Sequence, residues 1–236
     1  MQDTGYVPTI RDNLLGVRER IAAAAARAGR SDEEITLVCV SKTVPASIVR
    51  LAMEAGATDL GENYVQEAQD KIQQLGREAV RWHLIGHLQS NKAGKAAGLF
   101  DMIQSVDSVK LASRLDQSAA QIRTEADGRL DVLLEVNVAG EATKTGTPKD
   151  AALDVAAEVA EMPHLRLRGI MGIPPPSGSD GQARSYFAEL RRIWQELPEE
   201  HRAILSMGMS ADFEAAIEEG STMVRVGSAV FGARPR

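Results

Sequence analysis

The chain has 236 residues, of which 44% are hydrophobic and 25% charged, and its 27 Lys and Arg against 33 Asp and Glu give a net charge of −6. This composition excludes collagen-like, low-complexity and disordered chains, and the acidic balance argues against general binding to nucleic acid or an anionic membrane. The sequence contains one cysteine, no signal-peptide pattern, and no apolar run of the roughly 20 residues that span a bilayer. We therefore expect a cytoplasmic protein without disulfides or membrane spans.

The elements predicted along the chain begin with a helix over about 9–29, whose apolar residues recur at helical spacing. The continuous apolar run ITLVCVS at 35–41 then predicts a strand that is buried on both faces. Strand and helix patterns alternate after it. Further strands are predicted in ATDLG (57–61), RWHLIG (81–86), FDMIQSV (100–106), LDVLLEVNV (130–138), LRLRGIMGI (165–173), AILSMG (203–208) and TMVRVG (222–227), with helices over about 45–56, 63–75, from near 90, 108–122, 148–161, 180–196 and 211–219.

This alternation predicts a parallel sheet, and eight strands in a chain of this length favour a closed (β/α)8 TIM barrel with an extra N-terminal helix. The prediction is a single domain over 1–236, with the barrel at about 35–232 and only the short tail FGARPR after the last strand. An open doubly wound sheet is the structural alternative. In the barrel, ligand-binding residues lie just past the C-terminal ends of the strands.

Lys42 directly follows the first predicted strand, at the end of the barrel where ligands bind. Desolvation of a lysine there would disfavour its charged form and make the amine available to form a Schiff base with an aldehyde. The alternative is a strand-end lysine whose amine reaches water. The other six lysines fall in predicted helices or loops, where a solvated ammonium is expected: Lys71, Lys92, Lys95, Lys110, Lys144 and Lys149.

Two segments rich in small residues predict a phosphate site. The segment SMGMS at 206–210 precedes the helix predicted from about 211, and Ser210 is expected to cap that helix so that backbone N–H groups face an anion. Gly227 and Ser228, after the last strand, let the backbone approach a ligand closely. A phosphate cup after strands seven and eight recurs in this barrel. Taken singly, the segments also fit a capped turn and a tight exit from the sheet.

Arg225 lies inside the last predicted strand and needs an acceptor, because a guanidinium does not lose its charge. The acceptor would be a ring nitrogen of the ligand, or else a carboxylate such as Glu62 or Glu135. Asn63 and Asn137 follow strands, where each could hydrogen-bond a ligand oxygen or act as a turn residue.

No metal site is predicted, because His83 and His87 straddle a strand end and Gly86 rather than sharing a helix face. Cys39 is expected to fill the core, and Lys92 to be solvated at the start of a helix. The residues together indicate a small ligand that bears a phosphate and an aldehyde. Pyridoxal 5′-phosphate (PLP) is the cofactor that combines the two.

Six further segments occur along the chain in this order: VSKT at 40–43, GENYVQE at 61–67, WHLIGHLQSNK at 82–92, RGIMGIP at 168–174, SMGMSADFEAAI at 206–217 and STMVRVGSAVFGAR at 221–234. Together they resemble the pyridoxal-phosphate homeostasis protein family, and the resemblance runs from about residue 9 to the end. It implies a fold similar to the barrel domain of alanine racemase.

The resemblance implies that PLP is bound as an aldimine to Lys42, that Asn63 lies near the ring or Schiff base, and that Arg225 faces the pyridine nitrogen. An arginine there would leave that nitrogen unprotonated and the ring a weaker electron sink. The phosphate would be surrounded by residues of the two small-residue segments. The implied cofactor-binding residues are Lys42, Asn63, Ser206, Met209, Ser210, Arg225, Gly227 and Ser228.

By resemblance, the protein holds PLP and takes part in its intracellular homeostasis and delivery, without robust catalysis, and PLP-dependent apoenzymes are its candidate partners. The alternatives are a small PLP-dependent amino-acid racemase and an unrelated phosphosugar enzyme in which Lys42 is structural. Alanine racemase takes one of its two bases from a second domain of the partner subunit. This sequence ends a few residues after the eighth strand, so we expect neither that domain nor the dimer that depends on it, but a monomer.

Overall fold

The structure, a computed structural model, describes residues 6–124, 128–141, 144–175 and 180–232. Within these ranges the chain forms nine parallel strands, and most of the longer ones are apolar, β-branched runs bounded by turn residues. Their bounds are β1 Thr36–Val40, β2 Asp59–Glu62, β3 Arg81–Leu84, β4 Met102–Val106, β5 Leu130–Asn137, β6 Thr147–Pro148, β7 Leu165–Gly172, β8 Ile204–Ser206 and β9 Met223–Val226.

Eight of these strands close into a barrel. The strand order is β4-β3-β2-β1-β9-β8-β7-β5, and the further pairing of β4 with β5 joins the two ends of the row. The two-residue β6 pairs only with the end of β5 and stands outside the ring. The closed (β/α)8 barrel predicted from the alternation of elements is therefore confirmed, and the open doubly wound sheet is excluded.

Helices surround the barrel. Their bounds are α1 Tyr6–Arg27, α2 Ala46–Glu54, α3 Val65–Leu75, α4 Ala93–Leu99, α5 Val109–Ile122, α6 Ala152–Ala160, α7 Asp180–Glu196, α8 Phe213–Glu218 and α9 Ser228–Phe231. The prediction that only a tail follows the last strand was wrong, because α9 begins directly after Gly227; residues 233–236 of that tail lie outside the described residues. None of the described helices combines the length and apolar character that crossing a bilayer requires.

The extra N-terminal helix α1 packs on the outer layer, where it contacts α2, α8 and α9. Its apolar stripe is buried, as the helical spacing predicts: Ile10, Leu14, Val17 and Ile21. The barrel interior holds a separate small apolar cluster formed by Val38, Met102, Leu133, Met171 and Met223. Buried polar side chains also lie inside the barrel, where Gln104, Ser206 and Arg225 are joined by hydrogen bonds.

Candidate functional site

Lys42 lies at the C-terminal mouth of the barrel, half-buried, in the turn that follows β1. The register pairs Val40 with Gly61, and Ser41 N–H donates to the Gly61 carbonyl at 2.9 Å. One neighbour of the turn is therefore the end of β2. On the other side β1 pairs with β9, and a Cβ on Gly227 would lie 3.3 Å from the Val40 carbonyl oxygen. The turn bearing Lys42 is thus flanked by the chain just before Asn63 and by Gly227.

A single hydroxyl joins the two segments predicted to form a phosphate cup. Ser210 Oγ accepts hydrogen bonds from the backbone N–H groups of Gly227 at 3.1 Å and Ala229 at 3.4 Å. The expected capping of α8 by Ser210 was therefore wrong, because this hydroxyl caps the start of α9 instead. Asp212 directly precedes α8, and its Oδ1 accepts from Met209 N–H at 2.7 Å.

The cup formed by these two turns presents unused backbone donors. Within the described ranges, the N–H groups of Ser210 and Ser228 donate to no protein acceptor. Gly208 shapes the first turn with a φ of +92°, and a Cβ there would lie 2.5 Å from Ala216 Cβ and 2.9 Å from Phe213 Cα. Because only glycine fits, the backbone packs tightly against α8 at this turn.

Ser206 and Arg225 lie deeper, inside the barrel. Arg225 Nη1 donates to Ser206 Oγ at 2.6 Å, and Arg225 Nη2 donates to the Gly172 carbonyl at 2.9 Å. Ser206 Oγ in turn donates to Gln104 Oε1 at 2.7 Å. The resemblance implied that Ser206 lies around the phosphate. In the structure its side chain points into the barrel, because side chains alternate along β8, and its hydroxyl binds Arg225 instead.

Arg225 is a buried cation whose described hydrogen bonds go to neutral oxygens. The expected partner carboxylates are engaged elsewhere: Glu62 Oε1 accepts from Ser41 Oγ and Lys71 Nζ, and Glu135 Oε1 accepts from Thr145 Oγ1. Burial lowers the pKa of Arg225 to about 10, against the opposing effects of Glu135 and Asp212. The guanidinium stays charged at neutral pH and can donate to an acceptor atom of a ligand above it.

The hydrogen bonds of Arg225 continue through the barrel as a polar chain, here defined as Arg225, Ser206, Gln104, His83 and Asp59. Gln104 Nε2 donates to His83 Nδ1 at 3.0 Å, and His83 Nε2 lies 2.8 Å from Asp59 Oδ1. Burial acts to raise the pKa of Asp59, but hydrogen bonds from His83 and Thr58 outweigh it and the pKa lies below its usual value. Sequence reasoning missed this chain, although polar residues inside the apolar runs RWHLIG and MIQSV were its signal.

The remaining predicted residues lie at the rim. Asn63 and Lys92 line a cleft of about 570 Å³ beside the mouth, and Met209 is 38% exposed. Asn137 is a turn residue, because its Oδ1 accepts from Gly140 N–H and its Nδ2 donates to the Glu141 carbonyl. His83 belongs to the polar chain, whereas His87 lies at the surface beside Asp107. Among the described residues, no group of three His, Cys, Asp or Glu side chains could hold a metal.

Comparison with known sequences finds relatives along almost the whole chain. The profile of the family described as "Alanine racemase, N-terminal domain" matches residues 13–235. The chain is similar to the Pyridoxal phosphate homeostasis protein of Escherichia coli (strain K12), with 46% identity over 233 residues that cover 95% of this chain and 97% of that protein.

Solved structures agree with this assignment. The structure of PipY from Synechococcus elongatus PCC7942 with PLP bound has a TM-score of 0.80 and 33% identity, and the match covers 94% of this chain and 100% of that one. Alanine racemase from Clostridium difficile 630, in complex with cycloserine, has a TM-score of 0.75 at 15% identity over 96% of this chain and 60% of that one, which shows the shared barrel fold. The resemblance inferred from the sequence is confirmed, and the chain belongs to the pyridoxal phosphate homeostasis protein family.

Proposed function

We propose that this chain binds PLP as a Schiff base on Lys42 and that it holds and releases the cofactor as part of PLP homeostasis in the cytoplasm. The observation that carries the proposal is the shared mouth of the barrel, where the Lys42 turn lies directly beside Gly227 of the phosphate cup. Hand-over of the cofactor to PLP-dependent apoenzymes follows from this role. The name of the Escherichia coli relative and the PLP-bound PipY structure support the same ligand.

The phosphate end of the ligand would be held by backbone N–H groups. The donors of Ser210 and Ser228 need an acceptor, and a phosphate offers charged oxygens that make stronger hydrogen bonds than neutral ones. The Ser210 hydroxyl joins the two turns through its hydrogen bonds to Gly227 and Ala229, and we therefore expect both donors to serve one anion. Ser228 is exposed at this point and its hydroxyl can add a further hydrogen bond.

The ring end of the ligand would meet Arg225. The guanidinium is positioned by Ser206 and by the Gly172 carbonyl, and it offers only donors. When bound, PLP supplies an aldehyde and an aromatic ring that can withdraw electrons through its nitrogen. Arg225 would donate to that nitrogen and keep a proton from it, which would weaken the electron withdrawal by the ring.

The ligand and the residue are tested together by reductive trapping. Wild-type protein is incubated with PLP, reduced with borohydride, digested and mapped by mass spectrometry. We expect one pyridoxyl group per chain, on the peptide that contains Lys42. An adduct that maps to another lysine would contradict the assignment of Lys42, and the absence of any adduct would contradict the Schiff base itself.

We also propose that the chain has no robust turnover of its own, because Arg225 leaves the ring a weak electron sink. The test is exchange of the α-proton with deuterium from solvent over a panel of amino acids, with the PLP-loaded protein. We expect exchange far slower than ordinary enzyme turnover of roughly 1–10³ s⁻¹. Saturable exchange within that range for any amino acid would favour the racemase instead.

A further inference from the structure

A buried ion cluster lies directly behind the turn that carries Lys42. It consists of Lys71 and Glu67 on α3 and Glu62 at the end of β2, and we name it the clamp. Lys71 is 5% exposed and Glu62 is fully buried. Lys71 was expected to be solvated. That prediction was wrong, because α3 packs against β2 and brings Lys71 to the buried Glu62 at the end of that strand.

All three N–H donors of the Lys71 ammonium have acceptors. Lys71 Nζ lies 2.6 Å from Glu62 Oε1, 2.8 Å from Glu67 Oε1 and 2.5 Å from the backbone carbonyl oxygen of Ser41. Because an ammonium has three donors, its hydrogen bonding is complete. Lys71 therefore joins both carboxylates to the residue that precedes Lys42.

The two carboxylates of the clamp hold the turn from both sides of Lys42. Glu62 Oε1 accepts from Ser41 Oγ at 2.6 Å, and Glu67 Oε1 accepts from Thr43 N–H at 2.5 Å. Thr43 has a φ of +64°, a value that costs energy for a β-branched side chain. The hydrogen bonds of the clamp to Ser41 and Thr43 compensate the cost of this backbone conformation. They also fix the direction of the backbone on both sides of Lys42.

We propose that Lys71, Glu62 and Glu67 are positioning residues that fix the backbone of Lys42 so that its amine meets the aldehyde. The inference rests on the proposed function of Lys42. A lysine side chain is flexible. If its backbone is already fixed, less conformational entropy is lost when its amine reacts with the aldehyde. A buried ion pair contributes little net stability compared with apolar residues of the same volume. The effect of the clamp therefore lies in the geometry that it imposes on the turn.

The test uses the paired variant Glu62→Gln with Lys71→Met, which removes both buried charges together and leaves neither unpaired. In the ligand-free protein, we expect the Thr43 amide to exchange with deuterium at least tenfold faster than in the wild type. With PLP, we expect imine formation to slow at least tenfold. Binding of pyridoxine 5′-phosphate, which has the same ring and phosphate but no aldehyde, should stay within twofold of the wild type.

The matched control is Arg192→Met with Glu189→Gln, which removes an exposed ion pair on α7 and should leave all three measurements unchanged. Glu67→Ala is the second variant, at a side chain that is 25% exposed and therefore tolerant of change. It removes the acceptor of Thr43 N–H, so it should also speed exchange of the Thr43 amide and slow imine formation. The test therefore stands even if the paired variant fails to fold.

Wild-type rates of imine formation in both clamp variants would overturn the inference, and so would an equal loss of PLP and pyridoxine 5′-phosphate binding, because a merely structural role weakens both. These outcomes differ from failure of the proposed function, in which the wild type itself forms no imine on Lys42.

Discussion

Lys42→Ala is expected to abolish the borohydride-reducible adduct and the absorbance band of the protein-bound Schiff base. The variant retains the phosphate cup and Arg225, so it should still bind PLP noncovalently with weaker affinity. Lys42 is only half-buried, and we expect the free energy of unfolding to change by about 1 kcal/mol or less. Incorporation of pyridoxyl groups, counted by mass spectrometry after reduction, is the measurement.

The control for this prediction is Lys92→Ala. Lys92 lines the rim cleft beside the mouth and is exposed, so its removal tests whether any nearby lysine can accept the aldehyde. We expect it to incorporate one pyridoxyl group, as the wild type does. Undiminished incorporation in Lys42→Ala would show that another amine forms the bond.

Gly208→Ala is expected to damage both the stability of the protein and its phosphate cup. The φ of +92° costs an L-residue about 1–2 kcal/mol. The new Cβ would overlap Ala216 Cβ at 2.5 Å, and such overpacking adds about 1–3 kcal/mol. We expect a loss of about 2–5 kcal/mol in urea unfolding. PLP affinity should fall about tenfold or more, because each charge-assisted hydrogen bond is worth about 1.5–3 kcal/mol.

Gly29→Ala separates the cost of the backbone conformation from the cost of the steric overlap. Gly29 also has a positive φ, of +68°, but no atom lies within 4 Å of the position of its Cβ. Its substitution should cost only about 1–2 kcal/mol for the backbone and leave PLP binding unchanged. If Gly208→Ala were no more destabilising than this control and bound PLP normally, the tight turn would not shape the cup.

The barrel was predictable because most of its eight strands are short apolar runs between turn residues, and because their alternation with helices leaves few possible topologies. The two elements that were missed are too short to be stable alone. The helix α9 has four residues, and an isolated helix of that length is unfavourable. Its start is stabilised by a hydrogen bond to Ser210, which lies 18 positions before its first residue. The pairing of β6 likewise depends on the end of β5.

The site was predictable only in part, because sequence order tells where a strand ends but not which face a side chain takes. The position of Lys42 at the mouth of the barrel was predictable from its place after β1, and its role stays a prediction. Ser206 was assigned to the cup, yet it shares the inward face of β8 with Ile204, which packs on the interior cluster. Glu67 precedes Lys71 by four positions on the same helix, a spacing that the sequence shows. The burial of Lys71 was missed because its other two acceptors, Glu62 and the Ser41 carbonyl, come from separate segments.

The hydrogen bonds that link the members of the polar chain all run in one direction, from Arg225 inside the barrel to Asp59 at the start of β2. In that arrangement His83 Nδ1 accepts from the Gln104 amide and His83 Nε2 donates to Asp59. The orientation of the Arg225 guanidinium therefore depends on a carboxylate at the opposite end of the barrel, through hydrogen bonds between side chains alone.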